Sequence, residues 1–459
     1  MRKNSDYQTS IKERVSYPMF AIGQGIVYLF VSGYLMLYLT NRIYLNPMIV
    51  GTILLFSKVW DAVNDPMMGV IVDRTQFRKN KFKPWLRVST ALIPLTTFLM
   101  FQIQAETPDK TKIILAVAFY FIWDMAYTMS DVPLYSLLTS MTSNVRERSS
   151  LISYGSVAGV ANALLLVVVL VPKIEDEAWG FSRIAIVVAL LSFAGMLPLT
   201  ITGKERVREQ VQEKEKTSTR DIFVYLKNNK YLFYFFLYQC LSGMLALGSL
   251  LNYVIIELLG SIRYLAIFTA IGAVPTIILY LLMPKITSRF DKMLIFRSSV
   301  IASALLSLGL YAVGYSNIVL FGIFAITKTV IATSAAMLTF TFAMDCVEYG
   351  HYKTGIRKEG ITFSVQTFAN KFIAAISSSL GSFILAYINY DGRMEGHQAA
   401  GTLTGLWNAY VWVPIIGVCV ALPFLFLYKL RSSDVQIMAD INTGKITREE
   451  GEARMSRQY

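Results

Sequence analysis

An all-α polytopic membrane protein, with about twelve transmembrane helices in two bundles of about six, is the fold class this chain predicts, and three features predict it. Of 459 residues, 54% are hydrophobic and only 16% charged, with mean hydropathy +0.49, which excludes an ordinary soluble domain. Apolar stretches of bilayer-crossing length recur along the whole chain. The positive charge is also unevenly placed, crowding alternate connections between those stretches.

The expected spans centre near residues 29, 60, 96, 125, 161, 191, 243, 274, 305, 331, 374 and 416. The crowded connections carry Arg74, Arg78, Lys79, Lys81 and Lys83; Arg146 and Arg148; Lys204 through Lys230; Lys285, Arg289 and Lys292; and Lys353, Arg357 and Lys358. By the positive-inside rule this side is the cytoplasm, so both termini are expected there, in a multi-pass protein of the cytoplasmic (inner) membrane. The net charge of +13 is thereby explained by the bilayer, and no nucleic-acid partner is implied. The stretch GKERVREQVQEKEKTSTRD, Gly203 to Asp221, falls near the midpoint and reads as a linker between bundles. The expected organisation is 1–202 for the first bundle, 203–227 for the linker, 228–430 for the second bundle and 431–459 for a cytoplasmic tail.

The opening residues MRKNSDYQTSIKER lack the pattern of a cleavable signal peptide. Cys240, Cys346 and Cys419 have neither metal nor redox spacing, and His351 and His397 are expected in connections. No nucleotide loop or hydrolase motif is present, so an enzyme is not expected, and no cofactor is implied.

The second span reads FSKVWDAVNDPMMGVIV and contains Lys58, Asp61 and Asp65. On a helix the two carboxylates share one face. Each intramembrane charge costs several kcal/mol unless it meets a partner, water or protein interior, so such acids default to function. A charge-paired packing motif is the alternative, although one lysine cannot neutralise two acids. In the fourth span, WDMAYTMSDVPLYS places Asp124, Thr128 and Asp131 on one face. Asp131 is followed by Pro133, as Asp65 is followed by Pro66, and prolines free carbonyls within membrane helices. Carboxylates, a hydroxyl and carbonyls suit a hard cation, with sodium or a proton the natural guest. Asp124 reads equally as a packing acid.

Sugars are held by carboxylate and amide hydrogen bonds with an aromatic ring against the apolar face of the pyranose. Tyr135 and Trp123 flank Asp131, and Gln24 and Tyr28 stand in the first span. For Tyr28 and Trp123, packing is an equal alternative. Lys371 lies deep in the apolar sequence ITFSVQTFANKFIAAISSS and requires a partner, with Asp61, Asp65 or Asp131 the expected ones. The loop with Gly69, Asp73, Arg74, Arg78 and Lys79 partly resembles the major facilitator signature, although a generic basic loop would look similar.

Three strings, KVWDAVNDPMMGVIVDRTQFRKNKFKPW, YTMSDVPLYSL followed by RERS, and EYGHYKTGIRKEGITFSVQTFANK, together resemble the glycoside-pentoside-hexuronide:cation symporters over essentially the whole chain. The resemblance implies a major facilitator fold that alternates access to a sugar site and couples uptake to sodium, lithium or protons. It assigns the cation to Asp61, Asp65 and Thr128, with Asn64 beside them, and these three would be the metal ligands if the ion is sodium. It assigns sugar recognition to Asp131 and proximity to Lys371. Three positions depart from the family pattern: Gly25 replaces a sugar-binding aspartate, Tyr135 a tryptophan and Ser156 an arginine. The changes spare the cation residues and alter the sugar residues. The expected partners are a small sugar or glycoside, a monovalent cation and the bilayer, with function as a monomer. A major facilitator carrier of a non-sugar amphiphile such as a lysolipid is the competing expectation.

Overall fold

The structure is a computed structural model that describes residues 8–75, 80–142, 147, 151, 154–155, 159, 161–176, 179–206, 219–355 and 359–456. Among these residues the secondary structure is helical, with no strand. Eight helices among the described residues are long and apolar enough to cross a membrane, and the chain is a multi-pass membrane protein.

The first half contains α1 (Ile11–Asn41), α2 (Pro47–Arg74), α3 (Lys83–Met100), α4 (Asp109–Met141) and α5 (Gly180–Thr202). Their starts are written locally. Ser10 Oγ accepts from Glu13 N at 3.4 Å while Glu13 Oε2 accepts from Ser10 N at 2.8 Å, a reciprocal cap on α1. Asn46 Oδ1 accepts from Met48 N at 2.8 Å, and Pro47 occupies the first turn of α2. The start of α3 is closed from a distance, because Glu205 accepts from the amides of Lys81, Phe82 and Lys83 at 2.7, 2.9 and 3.2 Å. A carboxylate there offsets both the unpaired amides and the positive end of the helix dipole.

Two compact units divide the chain. One comprises Met1–Gln212, Ile255–Ile267 and Leu385–Ala399; the other comprises Glu213–Val254, Phe268–Ile384 and Ala400–Tyr459. Within the first, α1 packs on α5, α3 on α4 and α5, and α2 on α4. The α1–α5 crossing depends on small residues: a Cβ at Gly23 would stand 2.5 Å from Ser192 O, and one at Gly195 would stand 2.8 Å from Met19 O. Lipid-embedded helices have little hydrophobic drive to associate, so close backbone approach supplies dispersion instead. Glu147 is clasped by Thr9 N and Gln8 N at 3.0 and 3.1 Å, by Thr142 Oγ1 at 2.6 Å and by the Thr9 hydroxyl. Arg206 pairs with Glu13 at 2.7 Å on the same unit.

The second half continues with α6 (Thr219–Asn228), α7 (Lys230–Met244), α8 (Leu250–Leu259), α9 (Arg263–Thr287), α10 (Lys292–Val313), α11 (Ile318–Thr354), α12 (Glu359–Tyr387), α13 (Ala400–Leu427), α14 (Ser432–Asn442) and α15 (Arg448–Arg454). Within the second unit, α7 packs on α13, α10 on α11 and α13, and Tyr231, Phe235, Phe296, Phe342 and Tyr428 form its buried aromatic core.

Two sequence expectations are corrected. The span expected near residue 243 is broken between α7 and α8, where two Ser/Gly pairs, Ser242–Gly243 and Gly248–Ser249, bracket the break and Leu247 takes a positive φ of 47°. His351 is not in a connection: α11 continues to Thr354 and ends on Gly355 at φ 68°, a left-handed cap that glycine adopts without penalty. Within the expected linker, 203–227, α6 begins at Thr219, and its Tyr225 hydrogen-bonds Thr362 at 2.8 Å. The tail forms α14 and α15, held to α11 by Asn442 Nδ2 donating to Glu348 Oε2 at 2.9 Å and Tyr352 Oη donating to Glu452 at 2.6 Å.

Candidate cation and substrate site

On α2 the buried residues Ser57, Asp61, Asn64 and Met68 follow helical spacing, whereas Phe56 and Val59 are exposed. The polar stripe therefore faces protein and the apolar one faces outward, the reverse of a soluble amphipathic helix. On α4, Trp123, Asp124 and Thr128 are buried, and Ile114 and Ile122 are exposed. The polar faces of α2 and α4 meet.

Asn64, fully buried between the two acids of α2, makes the join. Its Nδ2 donates to Thr128 Oγ1 at 3.0 Å and to Asp124 Oδ2 at 3.3 Å. Thr128 Oγ1 donates onward to Asp65 Oδ1 at 3.1 Å. Asp61 is 7% exposed. Among the described residues the buried Asn64 Oδ1 has no hydrogen-bond partner. An acceptor so placed, beside carboxylates, suits a cation or a protonated group. Among the described residues no three His, Cys, Asp or Glu are grouped as for a tightly held metal. Asp124, which the sequence leaves open between a substrate-site acid and a packing acid, thus meets Asn64 of the cation set.

Gln24 Nε2 on α1 donates to Asp131 Oδ1 at 2.6 Å, a charge-assisted bond that leaves the second carboxylate oxygen available. Thr128 and Asp131 stand three residues apart on α4, so the two groups of residues adjoin along one helix. Tyr28, 40% exposed, stacks on Tyr127 at 5.4 Å, and Trp123 packs against Tyr127 at 5.2 Å and Tyr120 at 5.7 Å while only 2% exposed. Trp123 is thereby enclosed by neighbouring aromatics.

The sequence model of the family described as MFS/sugar transport protein matches residues 16–432. The chain belongs to that family. It is a transporter, not an enzyme, and the fold is the major facilitator fold. The putative glycoside/cation symporter YagG of Escherichia coli (strain K12) is 26% identical over 94% of this chain and 95% of its own length. The isoprimeverose transporter of Lactiplantibacillus pentosus is 25% identical over 94% of this chain and 91% of its own. Among solved structures, a bacterial homolog to the human lysosomal transporter Spinster, inward-facing and unoccupied, superposes with a TM-score of 0.64 at 12% identity, covering 91% of this chain and 95% of that one.

Within this MFS/sugar transport protein, Lys371 belongs to the other unit, half-buried on α12 near Gln366 and Asn370, which hydrogen-bond each other at 3.1 Å. The side chains of Lys58, Asp73, Arg74 and Tyr135, and all of Arg78, Lys79 and Ser156, lie outside the described residues. The sequence reading missed Asn162, a single amide in the apolar run ANALLLVVVL, which is 1% exposed. It also missed a buried cluster in which Asn41 Nδ2 donates to Tyr390 Oη at 2.7 Å and Tyr390 Oη donates to Glu257 at 2.7 Å. The signal for both was a lone polar residue within apolar sequence, too common to single out without the third dimension.

Proposed function

We propose that this chain is a cation-coupled symporter that carries a glycoside, pentoside, hexuronide or short oligosaccharide across the cytoplasmic membrane by alternating access. The observation that carries the reading is the Asp65–Thr128–Asn64–Asp124 hydrogen-bond chain, whose Thr128 lies one turn of α4 before Asp131, itself held by Gln24. Asp61, Asp65, Thr128 and Asn64 hold the cation, sodium or a proton. Asp131 and Gln24 bind the sugar, with Tyr135 and Lys371 as further contacts. The two bundles, 1–202 and 228–430, are the moving bodies, and the termini are cytoplasmic.

Coupling follows from charge. With the cation absent, Asp61 repels Asp131 and the amide bond to Gln24 is the main compensation. A cation at Asp61 and Asp65 cancels that repulsion and lets Asp131 accept from sugar hydroxyls at lower cost. Linkage requires the sugar to raise cation affinity by the same factor. The glycoside/cation and isoprimeverose names of the relatives favour this cargo over an amphiphile.

The test is sugar uptake into proteoliposomes under imposed sodium or proton gradients. Gradient-driven accumulation is expected, and Asp61→Asn should abolish its dependence on the gradient while equilibrium sugar binding persists. Sugar binding with uptake indifferent to both gradients would reject coupling.

A further inference from the structure

Gly25 is a glycine in the interior of α1 with no turn to make, a placement less favourable than alanine. The space it leaves is taken: a Cβ at Gly25 would lie 2.6 Å from Asn162 Nδ2 and would push that amide aside. Asn162 is 1% exposed, and among the described residues neither its Nδ2 nor its Oδ1 has a hydrogen-bond partner. A buried amide left unsatisfied at both ends is destabilising, and a leucine there would not be. Two destabilising choices therefore meet at one contact. Two residues beyond Asn162 the helix changes to π winding over Leu164–Leu170, a distortion that collects at functional sites. The preceding residue of α1, Gln24, holds Asp131. One turn of α1 thus offers an engaged carboxylate on one side and an unengaged amide on another.

We propose that Asn162, admitted by Gly25, is a substrate-recognition residue that donates to and accepts from paired hydroxyls of a neutral glycoside or pentoside. The proposal rests on the sugar-symport reading and narrows it. An amide has both donors and acceptors, and a vicinal diol has both as well, so each satisfies the other. A uronate carboxylate would engage only Nδ2 and would leave Oδ1 orphaned, and it would bring a third negative charge towards Asp61 and Asp131. Gly25 and Asn162 are thereby a specificity pair: an acidic residue at position 25 would replace the amide with a charge, and here the neutral group stands instead.

The experiment compares wild-type, Asn162→Leu, Asn162→Ala and Gly25→Ala full-length transporter in proteoliposomes. It measures uptake of a panel of neutral pentosides and glycosides and of hexuronides, the cation activation constant and the melting temperature. The sugar KM is expected to rise about tenfold or more in all three variants, the equivalent of one to two lost hydrogen bonds. The cation activation constant should stay the same, and Asn162→Leu should melt at or above the wild-type temperature because an orphaned amide is gone. Gly25→Ala tests the same amide by displacing it, and combined with Asn162→Leu it should add nothing further. Unchanged KM in Asn162→Leu, or a melting temperature lowered in both Asn162 variants, overturns the inference while wild-type uptake leaves symport intact. Wild-type preference for hexuronides also overturns it. Wild-type protein that takes up no sugar under any gradient overturns the function and this inference together.

Discussion

Replacing Thr128 by valine keeps the shape of the side chain and removes one oxygen from the centre of the cation cluster. That oxygen accepts from Asn64 at 3.0 Å and donates to Asp65 at 3.1 Å, and the residue is 4% exposed, so water does not readily substitute. After the change Asn64 keeps its weaker contacts with Asp124, 3.3 Å to the carboxylate and 3.5 Å to the backbone carbonyl, and Asp65 loses the Thr128 donor. A buried hydrogen bond to a charged group contributes about 1.5–3 kcal/mol. If the cluster is organised for the ion, that loss appears as a rise of roughly 10- to 150-fold in the cation activation constant. Uptake measured against cation concentration at saturating sugar reads this directly, with Thr128→Ser as the control that restores the oxygen and most of the affinity. A Thr128→Val protein with an unchanged cation constant but a raised sugar KM would refute the division of roles between Thr128 and Asp131.

The α1–α5 crossing gives a stability prediction. Gly23→Ala forces a Cβ to 2.5 Å from a backbone oxygen and 2.9 Å from the Met196 amide, which cannot yield as side chains do, and should cost about 1–3 kcal/mol or more, seen as a lower melting temperature in detergent. Gly33→Ala on the same helix meets nothing within 4 Å and should instead stabilise slightly; equal effects of the two would sink the packing argument. For Glu147, burial alone would raise the carboxyl, but hydrogen bonds from Thr142, Thr9 and Gln8 outweigh it and hold the group below the ordinary glutamate value. A folded-state value below the unfolded one means the stabilisation is present above the unfolded value and is lost as pH falls through the folded one. Glu147→Gln should therefore melt lower than wild type at neutral pH, with the two curves converging below about pH 4; parallel curves down to acid would show that the clasp carries no charge-dependent stability.

The membrane class, the polar stripes of α2 and α4 and the family resemblance were legible because each depends on spacing along one helix or on composition. Asp61 with Asp65, and Asp124 with Thr128 and Asp131, share faces by the 3.6-residue period alone. The sorting of those residues was not legible. Asp124 meets Asn64 only because α2 and α4 cross at that height, and Gln24 reaches Asp131 across more than a hundred residues of chain. The broken span at Leu247 was hidden by hydropathy, which records apolar character but not the failure of glycine and serine to propagate a helix. The start of α3 carries no capping signal of its own, because its cap, Glu205, arrives from beyond α5.

By itself, the amino-acid order determined that this chain must span a membrane as helices and that it must bury acids there for a reason, since apolar length and unpaired charge are penalised by the bilayer whatever the packing. Tertiary structure alone decided which polar groups satisfy one another. Asn64 is spent on Thr128 and Asp124, Gln24 on Asp131, and Asn162, beside the missing side chain of Gly25, on nothing among the described residues. Hydrogen bonds act over about 3 Å, and only helix crossing brings residues far apart in sequence to that distance.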